Sequence, residues 1–276
     1  MTLNTMYFSP TGGTKKVAEI ISRGMEGKGD GTKAVHKEID LSLPEEDYAK
    51  YCFGEEDVCV IAVPSFGGRV PAAALERLKM MEGGGARAVL VAVYGNRAFE
   101  DALLELEDTL LAAGFDPAAA IAAVAEHSIM HQFAGGRPDA EDERELTDFA
   151  VRIEDMLSEE GDRTAGGMEH AGIAGLPGNR PYREYNGVPF KPEGDKSCTK
   201  CGLCAKKCPV GAIPAGNPSS VDKEKCISCM RCVSVCPQHA RDLNKVLLFG
   251  VSQKMKKVCS GRKENELFIE RRRLIC

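Results

Sequence analysis

The chain has 276 residues, 43% apolar and only 6% aromatic, enough for about two domains with ordinary cores. A charged share of 28% and the lack of simple tracts exclude a fibrous or disordered protein. The longest apolar run, Ala118 to Ala125, is far below the roughly 20 residues of a membrane span. Met1 to Asn4 carries neither a basic nor an apolar leader, so a cytoplasmic protein is expected.

Thr2 to Phe8, Ala34 to Leu41, Asp57 to Val63, Ala86 to Tyr94 and Ala118 to Glu126 read as short strands, mostly too continuously apolar for a sheet with one wet face. The alanines of the fifth favour helix by propensity. Between the strands come helical patterns. Thr14 to Met25 puts Val17, Ile20, Ile21 and Met25 on one face; Ala72 to Met81, Phe99 to Ala113 and Glu141 to Leu157 are similar. Alternation of this kind predicts a doubly wound five-stranded parallel α/β sheet over residues 1–158. Residues 159–195 lose periodicity and gain Gly and Pro, as a linker does, although Tyr182, Tyr185, Val188 and Phe190 predict that part of it packs against something.

Charge divides the chain at the same place. Residues 1–195 carry 19 Lys/Arg against 35 Asp/Glu, a net of −16, whereas residues 196–245 net +6 and the extension 246–276 nets +5. Eight of the 12 cysteines fall between Cys198 and Cys236. They form an internal repeat: Cys198, Cys201, Cys204, Cys208 and Pro209 return 28 residues later as Cys226, Cys229, Cys232, Cys236 and Pro237. Each run is C-x-x-C-x-x-C-x-x-x-C-P, the spacing of bacterial ferredoxins with two clusters, in which the fourth cysteine closes the other cluster. This assigns Cys198, Cys201, Cys204 and Cys236 to one [4Fe-4S] cluster and Cys208, Cys226, Cys229 and Cys232 to the second. Structural zinc uses two separated C-x-x-C knuckles and leaves the third cysteine and the C-P ending without a role, and a disulfide framework does not suit a chain lacking an export signal. Ile213, Val221, Ile227, Val233 and Val235 are the expected apolar lining. Of the remaining cysteines, Cys59 in Val58-Cys59-Val60-Ile61 reads as a buried, inert thiol.

Directly after the first strand comes Ser9-Pro10-Thr11-Gly12-Gly13-Thr14 and then a helix. Hydroxyls and backbone amides at a helix N-terminus make an anion site, and the position at the carboxyl end of a parallel strand is where such folds bind ligands. Neither a nucleotide-triphosphate loop nor a dinucleotide fingerprint is present. The hexapeptide resembles the phosphate loop of the flavodoxin family, T/S-x-T-G-x-T. Two later loops are similar too, Pro64-Ser65-Phe66-Gly67-Gly68 and Tyr94-Gly95-Asn96-Arg97 with Phe99, which in that family flank the isoalloxazine ring. The resemblance implies FMN, bound through Ser9, Thr11, Gly12, Gly13 and Thr14, with Phe66 or Tyr94 beside the ring and the amides of 67, 68, 95 and 96 near its polar edge. It departs from the family in having no tryptophan and Gly13 in place of the common Asn.

Together the halves resemble fused flavodoxin-ferredoxin proteins of anaerobic bacteria and archaea, implying a flavodoxin-like domain and a small α+β two-cluster ferredoxin domain. Glu126-His127-Ser128 recurs in that family, and His127 could touch the flavin; His127 and His131, without the following glutamate, make no zinc-protease site. The expected function is electron transfer between FMN, two [4Fe-4S] clusters and an external ferredoxin, flavodoxin or oxidoreductase. The alternative is an NAD(P)H-dependent FMN reductase acting on a quinone, flavin or similar acceptor. The opposite charges of the halves predict salt-sensitive docking, within the chain or across a homodimer. The basic run Lys254, Lys256, Lys257, Arg262, Lys263 and Arg271 to Arg273 reads as a solvated face or protein-docking surface before a nucleic-acid one.

Overall fold

The computed structural model describes residues 2–26, 35–159 and 172–269. Five strands, β1 (Thr2–Tyr7), β2 (Val35–Asp40), β3 (Asp57–Pro64), β4 (Arg87–Tyr94) and β5 (Asp116–Val124), pair in parallel in the order β2-β1-β3-β4-β5, the doubly wound order of the flavodoxin fold. Alternate side chains enter two cores. Met6, Ile61, Leu90 and Ala122 pack against α2 (Ala72–Leu78) and α3 (Ala102–Ala112) on one face. Val60, Val91 and Ile121 pack against α1 (Gly13–Glu26) and α4 (Ala140–Glu159) on the other. The alanines of β5 are strand after all, because burial on both faces between β4 and the helices overrides propensity. Cys59 is fully buried in the sheet, and burial raises its thiol pKa.

The sheet has a sixth strand that the sequence did not suggest. Within the expected basic extension, α7 (Lys245–Cys259) is followed by β8 (Glu266–Ile269), which lies antiparallel on the β5 edge, Ala119 opposite Ile269 and Ala122 opposite Glu266. Asn265 fixes this edge: its Oδ1 accepts the Val124 amide at 2.8 Å while its Nδ2 donates to Asp142 at 3.0 Å and Glu145 at 2.5 Å. The extension is therefore part of the first domain's sheet, covering an edge that would otherwise be open. Arg262 is held at the start of α4 by Asp139, 2.8 Å away, and Lys263 donates to the Arg97 carbonyl. These two cations are engaged within the chain; Arg271 to Arg273 lie outside the described residues.

Residues 193–242 form the small cysteine-rich unit, with β6 (Glu193–Gly194) paired antiparallel to β7 (Arg241–Asp242) and one-turn helices α5 (Leu203–Lys206) and α6 (Arg231–Ser234). It is seated on the carboxyl end of the sheet. Arg77 of α2 donates to the Pro209 carbonyl at 2.6 Å, and Arg231 donates to the Ser9 carbonyl at 3.2 Å with Asp40 at 3.8 Å. Among the described residues no helix is long and apolar enough to cross a membrane.

Candidate cofactor sites

The sequence repeat is also a backbone repeat. Lys200 and Ser228 take φ of 58° and 57°, Gly202 and Met230 76° and 62°, and Gly211 and His239 61° and 48°, each pair 28 residues apart. A left-handed conformation costs a non-glycine residue roughly 1–3 kcal/mol, so its recurrence at Lys200, Ser228, Met230 and His239 points to a functional constraint. It curls each C-x-x-C-x-x-C run around a common space. The amide of Ala212 donates to Cys208 Sγ at 3.2 Å, and its repeat mate Ala240 donates to Cys236 Sγ at 3.3 Å.

Two small cavities result, and the four expected sulfurs of each set meet in one of them. Cys198, Cys201, Cys204 and Cys236 line the first with Pro218, Pro237 and Arg241. Cys208, Cys226, Cys229 and Cys232 line the second with Ile213, Val221, Ile227 and Arg231; of the expected apolar lining, Val233 and Val235 stay outside it. Arg231 Nε and Arg241 Nε are buried without a partner. Thiols around a void, amides directed at sulfur and orphaned cationic N–H groups fit anionic polynuclear cages. The two sites differ in exposure. Cys201 is exposed, whereas Cys208 and Cys229 are buried, and burial pushes the Cys229 thiol up to about 12.

A third cavity, of about 320 Å³, opens at the carboxyl ends of β1, β3, β4 and β5. Thr11, Gly13 and Thr14 line one side, Pro64, Ser65, Phe66 and Gly67 another, and Tyr94, Gly95, Arg97 and His127 a third. The amides of residues 11–14 make no hydrogen bond to another group among the described residues, leaving the start of α1 ready for an anion. Ser9 does not line the cavity: its hydroxyl accepts the Lys15 amide at 2.9 Å and so shapes the loop. Gly12, at φ 97°, is likewise outside the lining.

Gly68, Asn96 and Phe99 are not among the residues that line this cavity. The Asn96 side chain is turned away, its Nδ2 donating to the carbonyls of Cys259 at 2.6 Å and Gly261 at 2.7 Å, so it anchors the end of α7. Phe99 is buried in the α2–α3 core against Tyr94 and Phe268. Gly68 packs on Glu100, where a Cβ would come within 1.9 Å of the carboxylate. Adjacent turn residues point to opposite sides, which motif spacing does not reveal.

His127 faces the cavity with Nδ1 accepting the amides of Ile129 at 3.2 Å and Met130 at 3.3 Å, which leaves its proton on Nε2. Burial pushes its pKa down to about 4, helped by the nearby His131 and Arg97 charges. The unfolded ring takes a proton below its ordinary value of 6.5, before the folded one does. The neutral ring's contribution to stability is therefore complete above 6.5 and lost as pH falls toward 4. The unfolding midpoint is expected to rise between pH 5 and 7 by less in His127→Gln than in the unaltered protein; equal gains would contradict this.

The remaining wall comes from segments that no motif singled out. Tyr185, Val188, Pro189 and Phe190 of the expected linker line the cavity, with Val251 and Met255 of α7 and with Ile227 and Ser228. The apolar residues noted in the linker were the signal for the first group. The Tyr185 ring lies on Gly67, whose φ of 62° and missing side chain admit it: a Cβ there would sit 2.3 Å from the ring. Lys191 secures the Ile227–Ser228 wall by donating to the Cys226 carbonyl at 2.5 Å and to Ser228 Oγ at 3.2 Å.

The sheet order, the open anion loop and the paired thiol cavities define a flavodoxin-fold protein with an iron-sulfur segment. Residues 192–245 match the family described as 4Fe-4S dicluster domain. A similar protein is Ferredoxin-2 of Chlorobaculum tepidum, 43% identical over 47 residues, 14% of this chain and 76% of that protein. Through this segment the chain belongs to the ferredoxin family. A component of an ion-translocating oxidoreductase complex from Methanosarcina acetivorans is 45% identical over 47 residues, 17% of this chain; the match spans only 18% of that component's length. Among solved structures, a flavodoxin from the domain Archaea aligns over 57% of this chain and 99% of its own with a TM-score of 0.40 and 14% identity.

Proposed function

We propose that the protein is an electron-transfer iron-sulfur flavoprotein, with FMN in the large cavity and a [4Fe-4S] cluster in each small one. Cluster I would be held by Cys198, Cys201, Cys204 and Cys236, and cluster II by Cys208, Cys226, Cys229 and Cys232. When bound, FMN exchanges one or two electrons and each cubane one, so the oxidation of one two-electron donor balances the reduction of two one-electron acceptors.

One observation carries the reading. Ile227 and Ser228, which lie between the cluster II thiols Cys226 and Cys229, also line the cavity that begins at the phosphate loop. One loop thus separates the flavin site from cluster II within a single chain. Cluster I lies on the outer side, where Thr199, Lys200 and Cys201 are exposed together with Lys196 and Lys206. The order flavin, cluster II, cluster I, partner follows, and an acidic electron carrier suits the cationic exit.

This arrangement revises the salt expectation. Arg231 and Arg77 already seat the cysteine-rich unit on its own sheet, so the internal step needs no encounter. The test is anaerobic purification with iron, sulfide and FMN quantitation, followed by stopped-flow mixing. Flavin-to-cluster transfer independent of ionic strength, with delivery to an acidic external carrier that slows as salt rises, supports the reading. Rapid bleaching of the flavin by NADH or NADPH would instead make the protein the reductase, and material without iron-sulfur absorption would remove both.

A further inference from the structure

Arg241 is 2% exposed and carries its charge into the middle of the cysteine-rich unit. Its Nη1 donates to the Pro218 carbonyl and lies 4.0 Å from Cys204 Sγ; its Nη2 donates to the carbonyls of Pro192 at 2.7 Å and Ser220 at 3.2 Å. It also stands beside Cys232. Cys204 and Cys232 belong to different quartets, so one cation faces both. Among the described residues no carboxylate comes within ion-pair distance of Arg241, and its Nε has no partner. A buried guanidinium facing only neutral carbonyls and thiols is strongly unfavourable unless a negative charge is supplied beside it.

Arg231 is the contrasting case. It borders only the second quartet, and its charge is shared with Asp40 at 3.8 Å and the Ser9 carbonyl. It reads as a latch between the cysteine-rich unit and the phosphate loop.

We infer that Arg241 is the counter-charge common to both iron-sulfur cages, stabilising each when it gains an electron. The inference rests on the two-cluster reading above. Each oxidised cage with four thiolates carries −2 and becomes −3 on reduction, so a fixed neighbouring cation favours the reduced form. An arginine suits the place better than a lysine, because its planar fork satisfies three carbonyls fixed in space while its charge stays in position.

The test is a redox titration followed by electron paramagnetic resonance on anaerobically purified holoprotein and on Arg241→Gln, Arg241→Lys and Arg231→Gln, each with iron and sulfide measured. In Arg241→Gln both clusters should become harder to reduce, the reduced-to-oxidised ratio at fixed potential falling by about tenfold, equivalent to about 59 mV for one electron. Arg241→Lys should fall less, and Arg231→Gln should leave the outer cluster unmoved. Unshifted potentials in a fully loaded Arg241→Gln, or an Arg241→Lys shift as large as that of Arg241→Gln, would overturn the role. If Arg241→Gln holds no cages, retention of both by Arg241→Lys supports the charge argument, and loss from both variants overturns it in favour of a purely structural arginine. Unaltered protein lacking cages would sink the function proposed above, a result distinct from any of these.

Discussion

Replacing Cys229 by serine is expected to remove about half of the cluster iron and to slow flavin-to-cluster electron transfer by orders of magnitude, while replacing Cys201 by serine spares that step and stops delivery to the external carrier. The asymmetry comes from position. Cys229 is buried in the cavity whose Ile227–Ser228 loop forms part of the wall of the large cavity proposed for the flavin, whereas Cys201 is exposed on the far side. Electron tunnelling decays steeply with distance, so losing the inner cage leaves the outer one without a near donor. Anaerobic stopped-flow absorbance, with clusters quantified by resonance spectra, reads both variants. If Cys229→Ser reduced its remaining cluster from the flavin at the unaltered rate, the inner position of cluster II would be wrong.

The features legible in the sequence were those enforced locally. Eight cysteines at fixed steps, repeated after 28 residues, carry the spacing of two-cluster ferredoxins, in which the quartets cross, and the thiols do meet as two sets of four. Continuous apolar runs marked β3, β4 and β5 for a similar reason: a strand buried on both faces has little choice of composition. What stayed hidden depends on partners distant in sequence. The segment Glu266–Ile269 is too short to announce a strand, and Asn265, with partners at Val124, Asp142 and Glu145, sets its pairing. The linker lacks periodicity because carboxylates of another element hold it, not its own repeat. Asn96 and Phe99 sit in a loop that does reach the cavity, but Asn96, at φ 63°, turns its side chain to the end of α7.

Those carboxylates make Asp101→Ala the substitution with the largest expected effect on flavin binding. Asp101, 1% exposed at the start of α3, accepts the Asn179 amide at 2.9 Å and its side chain at 3.2 Å on Oδ1, and the Arg183 amide at 2.6 Å on Oδ2. Along the same helix Glu107 accepts the Ile173 amide at 2.5 Å and Asp108 holds Arg180 at 2.5 Å. The linker so fastened, a strap across α3, ends in Tyr185, Val188 and Phe190, a wall of the large cavity proposed for FMN. Alanine at 101 leaves the strap donors without their acceptor, at roughly 1–3 kcal/mol for each that stays buried. Relaxation of the strap into water returns part of this, so the dissociation constant for FMN should weaken by roughly 10- to 100-fold, about 1.4 kcal/mol per decade. Asp101→Asn, which keeps one acceptor oxygen, should fall between. Tyr185→Ala separates the wall from its fastening: it should weaken FMN without lowering the unfolding midpoint as Asp101→Ala does. Calorimetric titration of FMN into flavin-stripped protein measures all three. An unchanged affinity in Asp101→Ala, with its circular dichroism intact, would mean that the strap covers the cavity without helping to hold its occupant.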